Sequence, residues 1–387
     1  RFGRFTLVTA GMVRNAEELA ERMTQEGTTF SEIEEGRINQ TEVVAKIIAQ
    51  GDTIVSGIQS VFEQITGAIW LLLLTEEGLY AACDPGGRIP LTIGSRDGAM
   101  AVTTESCAFP NLGYSTTKYM TGGEITFVRR RDVEQIQSGD GATRICSFLW
   151  IYTGYPASHY EGRSVEMVRE ACGRALARAD DMEVDLVSGV PDSGTGHAIG
   201  YARESGYPFR RPLVKYTAGY GRSYIPPSQE VRDRIARMKL IAIRDVVEGN
   251  RMVLCEDSIV RGTQLKNLTL QKLWQAGAKE IHVRVACPPL MFPCRYNRST
   301  QSTDELVARR AIRDLEGGEC KDIRPYLDSS TEKYRQMVEW IRADINCTSL
   351  KYLPLEEMMD AIDLPEERLC TCCWAWENGD CSGCGRR

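Results

Sequence analysis

The run Met252-Val-Leu-Cys255 stops at two adjacent acids, Glu256 and Asp257, and continues through Ser258-Ile-Val-Arg-Gly-Thr263 into helical spacing over residues 264–277. An apolar stretch so short and unbroken reads as a strand covered on both faces, and a helix reached through a short turn belongs to a parallel sheet. The pattern recurs. Residues 164–179 read as a helix, 185–190 as a strand, 197–205 as a helix and 280–287 as another strand. Such alternation predicts parallel units whose ligands sit beyond the carboxyl ends of the strands, and the acid pair lies at one such end. Two adjacent carboxylates are costly there unless something positive or rich in hydroxyls occupies the site. A Mg²⁺ ion accepts carboxylate oxygens, and a ribose offers paired hydroxyls. The loop from Ser258 to Thr263 leads into a helix N-terminus, whose N–H groups favour an anion such as phosphate. For an isolated strand of this kind, a surface turn capped by Thr263 is an equal alternative.

The first part of the chain is patterned differently. Residues 17–49 have helical spacing in two segments broken near Gly27 and Gly36. The runs 68–75, 78–82, 89–94 and 99–104, punctuated by Gly, Asp and Pro, predict a meander of antiparallel strands. Residues 133–143 are polar and read as a linker, which divides the chain into 1–143 and 144–387. From Thr303 onward charged helix predominates. A formal charge of −6, from 47 basic and 53 acidic residues, argues against nucleic acid or an anionic membrane as the main partner. The longest apolar run, Gly67-Ala-Ile-Trp-Leu-Leu-Leu-Leu74, falls far short of the ~20 residues that cross a bilayer. With no leader recognised, a cytoplasmic protein with reduced thiols is expected. The sequence begins Arg1-Phe-Gly, so the first region reads as lacking, or having lost, its N-terminal part.

The complete string Arg251-Met-Val-Leu-Cys-Glu-Asp-Ser-Ile-Val-Arg-Gly-Thr263 resembles the phosphoribosyl pyrophosphate signature of type I phosphoribosyltransferases, in the form carried by glutamine amidophosphoribosyltransferases. It departs at Glu256, where that family has Asp. Val187-Ser-Gly-Val-Pro-Asp-Ser-Gly194 and Ala198-Ile-Gly-Tyr-Ala202 are similar to the family's pyrophosphate loop and following helix, with Gly194 and Gly196 read as allowing close approach to phosphate. Lys215-Tyr216, Gly221-Arg-Ser-Tyr-Ile-Pro-Pro-Ser-Gln229 and Arg237-Met-Lys-Leu240 resemble its mobile loop. The resemblance implies Mg²⁺ on Glu256, Asp257 and Ser193. It places the 5-phosphate on Ser258, Ile259, Val260, Arg261, Gly262 and Thr263, and the pyrophosphate on Ser193, Gly194 and Lys215. It gives Arg222 and Lys239, which alone are ordinary solvated charges, a catalytic part beside Glu256 and Asp257. The implied fold is an N-terminal-nucleophile glutaminase-like αββα domain followed by a parallel-sheet phosphoribosyltransferase domain. The implied activity is transfer to ammonia or another amine, as in the first step of purine biosynthesis, by a homo-oligomer with a nucleotide effector.

Fourteen cysteines are many for 387 residues, and five of them crowd the tail, at 370, 372, 373, 381 and 384. The two C-x-x-C pairs suit zinc, while thiolates from distant segments suit an iron–sulfur cluster. The resemblance points to a [4Fe–4S] cluster on Cys146, Cys294, Cys370 and Cys373, leaving Cys372, Cys381 and Cys384 as substitutes or bystanders.

The glutaminase match is weaker at its chemistry. Cys83-Asp-Pro-Gly-Gly-Arg-Ile-Pro-Leu91 and Thr103-Thr-Glu-Ser-Cys-Ala108 resemble scaffold segments of that domain. The nucleophilic cysteine position is not matched by Arg1. The His-Asn-Gly oxyanion segment appears as Thr9-Ala10-Gly11, and the acid that grips the substrate amine is replaced by Gln40. Removing one oxyanion donor costs on the order of 10²–10³ in rate, so glutaminase activity is expected to be lost. The competing expectation is a non-catalytic sensor of phosphoribosyl pyrophosphate or a nucleotide.

Overall fold

The computed structural model describes residues 2–31, 33–34, 37–139, 143–215, 240–296, 300 and 302–375. The first region opens with β1 (Thr6–Val13) and three helices, α1 (Ala16–Gln25), α2 (Gln40–Gln50) and α3 (Ile54–Gln64). There follow β2 (Gly67–Leu74), β3 (Leu79–Cys83), β4 (Thr92–Arg96), β5 (Ala99–Thr103), β6 (Ser115–Tyr119), β7 (Ile125–Val128) and β8 (Val133–Gln137). An antiparallel sheet takes the order β1-β2-β3-β7-β8, and a smaller one takes the order β5-β4-β6.

The unbroken apolar character of β2 has a direct cause. Ile69, Leu71 and Leu73 pack on one side with α1, α2 and α3, whereas Trp70 and Leu72 pack on the other with Leu91, Ile93 and Met120. Both faces of the strand are covered, so the usual alternation of polar and apolar residues disappears. On the far side of the small sheet, Gly94 lies against the ring of Phe109 from the short helix Ala108–Asn111, which supplies the outermost layer.

The second region contains α4 (Val165–Arg178), β9 (Leu186–Gly189), α5 (Thr195–Ser205), β10 (Arg251–Glu256) and β11 (Glu280–Val285). It continues with α6 (Val307–Glu316), α7 (Glu332–Ile345), β12 (Ser349–Tyr352) and α8 (Leu355–Ile362). The sheet order β9-β10-β11-β12 is parallel throughout. One core runs through this region from Ile145 to Trp374, separate from the two cores of the first.

Several elements differ from the expectation. Residues 133–137 are not linker but the edge strand β8, paired with β7 through a register shift. Glu134, Gln135 and Ile136 are exposed one after another, so this edge strand carries little apolar signal. Helix α3 was not expected, although Thr53 and Ser56 form the capping box that announces it. The expected helix over 264–277 begins as a wider π-helical turn, Leu265–Leu270, before the helix Gln271–Gln275. Among the described residues, no helix is long and apolar enough to cross a bilayer.

Candidate functional site

Glu256 is the last residue of β10, and both it and Asp257 are buried. The neighbouring strand β9 ends in a loop that returns tightly against β10. A Cβ on Gly194 would lie 2.1 Å from the Cys255 carbonyl oxygen, so only glycine fits there. That closeness brings the Ser193 hydroxyl to donate to Glu256 Oε1 at 2.9 Å. The Asp257 N–H also donates to Glu256 Oε1, at 3.2 Å, and the Ser258 hydroxyl donates to Asp257 Oδ1 at 2.6 Å. Burial, then the charge of Asp257, pushes the Glu256 carboxyl well above its usual range. Removed from water, and without an ion-pair partner among the described residues, the acid pair suits a divalent cation bearing hydroxyl or phosphate oxygens.

The Ser258–Thr263 loop is fixed from behind by α6. The Val307 N–H donates to the Val260 carbonyl at 2.8 Å, and the Arg310 guanidinium donates to the Arg261 carbonyl at 2.9 Å. The Arg261 side chain turns away to Glu305, at 2.6 Å. The whole loop, with Ser193, Lys215, Glu256 and Asp257, lines a cavity of about 1000 Å³. Lys215 bonds the exposed Asp192 carboxylate at 2.8 Å.

Two glycines make close approaches within the chain itself. Gly194 is not among the cavity's lining residues, and its close approach is to the chain's own β10. Gly196 faces α4, where a Cβ would meet the Glu166 carboxylate and Arg169 Cβ at 3.0 Å. Arg222 and Lys239 lie outside the described residues.

Cys146, Cys294, Cys370 and Cys373 line the same cavity. A short parallel pair, Ile145–Cys146 beside Leu369–Cys370, sets Cys146 and Cys370 side by side. The Cys373 thiol is held well above its usual range, first by its hydrogen bond with Cys294, then by burial and by the charges of Cys294, Cys146 and Cys370. Burial, then Cys294, pushes Cys146 up to about 12. Four sulfurs that oppose one another's ionisation fit a soft cationic centre in composition. Among the described residues, though, no three Cys, His or acidic side chains already stand in metal-ligand geometry, so ligation requires the sulfurs to close in. The Cys372 sulfur lies 3.4 Å from that of Cys370, while Cys381 and Cys384 fall outside the described residues.

The first region contributes Ala10, Gly11, Trp70, Arg88 and Glu105 to the cavity. At Gly11 the backbone has φ +118°, and a Cβ would strike the Ala68 carbonyl at 2.0 Å. Gln40 is engaged by β1: it accepts from the Val13 N–H at 3.0 Å and donates to the Gly11 carbonyl at 3.3 Å. Thr9 and Thr41 share a hydroxyl hydrogen bond of 2.6 Å. Gln40, Thr9 and Thr41 thus tie the start of α2 to β1.

Two buried residues close to the acid pair escaped the sequence reading. Arg169, 3% exposed, donates to the carbonyls of Trp150, Tyr152 and Gly154 at 2.9, 2.9 and 2.8 Å. His197 places its ring nitrogens 3.1 and 3.2 Å from the Arg169 and Ile151 carbonyls, and burial, opposed by Asp257, pushes it down to about 4. The legible signal was an arginine on the apolar stripe Val165, Val168 and Cys172 of α4.

A layered sandwich joined to a parallel sheet, with an acid pair and an anion-type loop at that sheet's carboxyl edge, is the architecture of a two-domain amidotransferase–phosphoribosyltransferase. Comparison with known proteins agrees. Residues 1–111 match the family model described as glutamine amidotransferase domain. The chain is 33% identical to the amidophosphoribosyltransferase of Mycobacterium tuberculosis over 94% of its own length and 66% of that protein's. It is 33% identical to that of Bacillus subtilis over 93% of its own length and 70% of the relative's. A solved glutamine phosphoribosylpyrophosphate amidotransferase from B. subtilis, complexed with ADP and GMP, superposes with a TM-score of 0.79 at 33% identity, covering 96% of this chain and 76% of that one. A solved allosteric regulatory enzyme of purine biosynthesis gives 0.80 at 32% identity, covering 96% and 74%. The chain belongs to the amidophosphoribosyltransferase family. It spans about 66% of the length of the mycobacterial relatives.

Proposed function

We propose that the chain binds phosphoribosyl pyrophosphate with Mg²⁺ and transfers the phosphoribosyl group to ammonia or another amine, independently of glutamine. The observation that carries this reading is one cavity lined by Glu256, Asp257, Ser193, Lys215 and the loop Ser258–Thr263. In it, Glu256, Asp257 and Ser193 would hold Mg²⁺, and the acid pair orients the ribose hydroxyls. Residues 258–263 take the 5-phosphate; Ser193, Gly194 and Lys215 take the pyrophosphate; Arg222 and Lys239 supply positive charge to the leaving group. Mg²⁺, when bound, supplies positive charge against the phosphates. The C1–O bond breaks and releases pyrophosphate, the N–C1 bond forms, and the amine gives up a proton. Exclusion of water by the cavity walls favours transfer over hydrolysis.

Loss of glutamine use is supported by Ala10 and by the structural engagement of Gln40. Cys146, Cys294, Cys370 and Cys373 would hold a [4Fe–4S] cluster that ties the tail to the region's core. The separate cores support a boundary at 143/144. A nucleotide effector and a homo-oligomer complete the reading, the former supported by the relative solved with ADP and GMP. Binding without turnover is the second reading, favoured by the longer acid Glu256. Incubation with Mg²⁺ and phosphoribosyl pyrophosphate, supplying ammonia or glutamine, separates these. Pyrophosphate release with ammonia alone is expected. Release with glutamine but not ammonia would sink the claim of a lost glutaminase, and binding with no release across a panel of amines would favour the sensor.

A further inference from the structure

Beyond the groups that touch substrate, Arg169 stands out as a buried cation whose guanidinium serves a turn of backbone rather than an ion pair. The segment Leu149–Thr153 is a π-helical turn, so its carbonyls lack the regular i to i+4 ladder. Three carbonyls in and just after it, those of Trp150, Tyr152 and Gly154, converge on Arg169, and the fourth, that of Ile151, faces His197. His197 is itself held against the Arg169 carbonyl. Leu149, Tyr152 and Thr153 of the turn line the cavity that the acid pair also lines. Burial lowers the Arg169 pKa, with Glu166 and then Asp257 acting in the opposite direction.

The chain beyond the turn is gripped from the first region. The Ser158 hydroxyl donates to Glu105 Oε2 at 2.5 Å, the Cys107 N–H donates to Ser158 Oγ at 3.3 Å, and Ser106 Oγ accepts from the His159 N–H at 2.7 Å. The chain after this wall is therefore anchored to the glutaminase-like region, and the turn itself to α4.

We propose that Arg169 is a positioning residue for the transfer reaction. Its fork fixes the turn Leu149–Thr153 as the cavity wall at a set distance from Asp257, and this sets the space in which the attacking amine meets C1. The inference rests on the function proposed above. A planar fork with fixed donors can satisfy three carbonyls at once, whereas a lysine keeps the charge but not that geometry.

The test compares the full chain with Arg169→Lys and Arg169→Met. Three quantities are measured: affinity for Mg²⁺–phosphoribosyl pyrophosphate by calorimetry, pyrophosphate release with ammonia, and amide hydrogen exchange of residues 149–154 with and without that ligand. In wild type, ligand should protect 149–154 from exchange. In Arg169→Lys, affinity should stay within about threefold while turnover falls at least tenfold and ligand-induced protection of 149–154 is lost. Full turnover in Arg169→Lys would overturn the proposal, as would unchanged protection, or equal losses of binding and turnover. If Arg169→Met does not fold, the lysine variant decides. Wild type that binds but releases no pyrophosphate defeats the transferase reading instead. The exchange difference between wild type and Arg169→Lys then decides whether Arg169 positions the wall.

Discussion

At the scale of single residues, two buried acids behave in opposite ways, and the difference lies in their partners. Asp180 receives Arg284 Nε at 2.5 Å, Lys351 Nζ at 2.7 Å and the Tyr201 hydroxyl at 2.7 Å, and burial is outweighed so that its carboxyl is lowered. Among the described residues Glu256 receives a serine hydroxyl and one amide, beside a second acid, and burial and that acid raise it. A lowered carboxyl contributes stability above its unfolded pKa that is lost as pH falls through the folded value; a raised one does the reverse. Removing Asp180 leaves Arg284, wholly buried, without its carboxylate. We expect Asp180→Asn to lower unfolding free energy by about 3–5 kcal/mol in urea titration at neutral pH, with the deficit shrinking in acid. A deficit below about 1 kcal/mol would contradict this account of the pair. For Glu256 the sign reverses: its contribution to the metal-free protein is largest in mild acid and falls as pH rises through the raised value. Glu256→Gln should remove that fall. Melting curves across pH, with and without Mg²⁺, should show the metal stabilising wild type more as pH rises and the variant hardly at all.

Among the elements, the loop between β9 and α5 has the least freedom, because its glycine touches the end of β10. In Gly194→Ala the new methyl would stand 2.1 Å from the Cys255 carbonyl, which is fixed in the sheet, so the loop must yield. The Ser193–Glu256 bond would be lost with it. We expect ligand affinity to fall at least tenfold while far-ultraviolet circular dichroism keeps the wild-type profile; unaltered affinity would show that the loop does not set the site. The same loop marks what could be read from the sequence. Strand β10, its acids and the β9 loop were legible because a parallel strand covered on both faces writes an uninterrupted apolar run ending in polar residues. Elements such as β8, half solvated, and β12, lodged between charged helices, carry too little apolar contrast to be distinguished from linker or helix. Gly194 was legible as a close approach, but not to what, since the partner carbonyl lies 61 positions away in sequence (Gly194 to Cys255). Arg169 was visible as a polar interruption in an apolar helical stripe; only the folded chain shows the three carbonyls it meets.

At the scale of the whole molecule, the tail and the junction between the two regions meet at the cysteines. The Arg88 carbonyl, from the first region, accepts the Cys146 N–H at 3.0 Å, and the Arg88 guanidinium lies 3.5 Å from the centre of the Tyr296 ring, two residues beyond Cys294. Cys146 in turn pairs with Cys370, and the Cys373 carbonyl accepts the amides of Met291 and Phe292, at 2.9 and 3.1 Å. Four segments distant in sequence thus meet around thiols that resist ionisation as they stand. A bound cluster would reverse that resistance, because metal ligation stabilises the thiolate and its free energy adds to that of folding. Anaerobic purification of the proposed holo form should give visible absorption, with iron and sulfide in equal amounts. Cys146→Ser and Cys373→Ser should abolish that absorption and lower the melting temperature, whereas Cys172→Ser, at a thiol buried elsewhere in the core, should keep it. Zinc in place of iron and sulfide would assign the same sulfurs to a different metal. Wild type without either metal, melting no higher than the Cys146→Ser variant, would reduce the four cysteines to ordinary core residues.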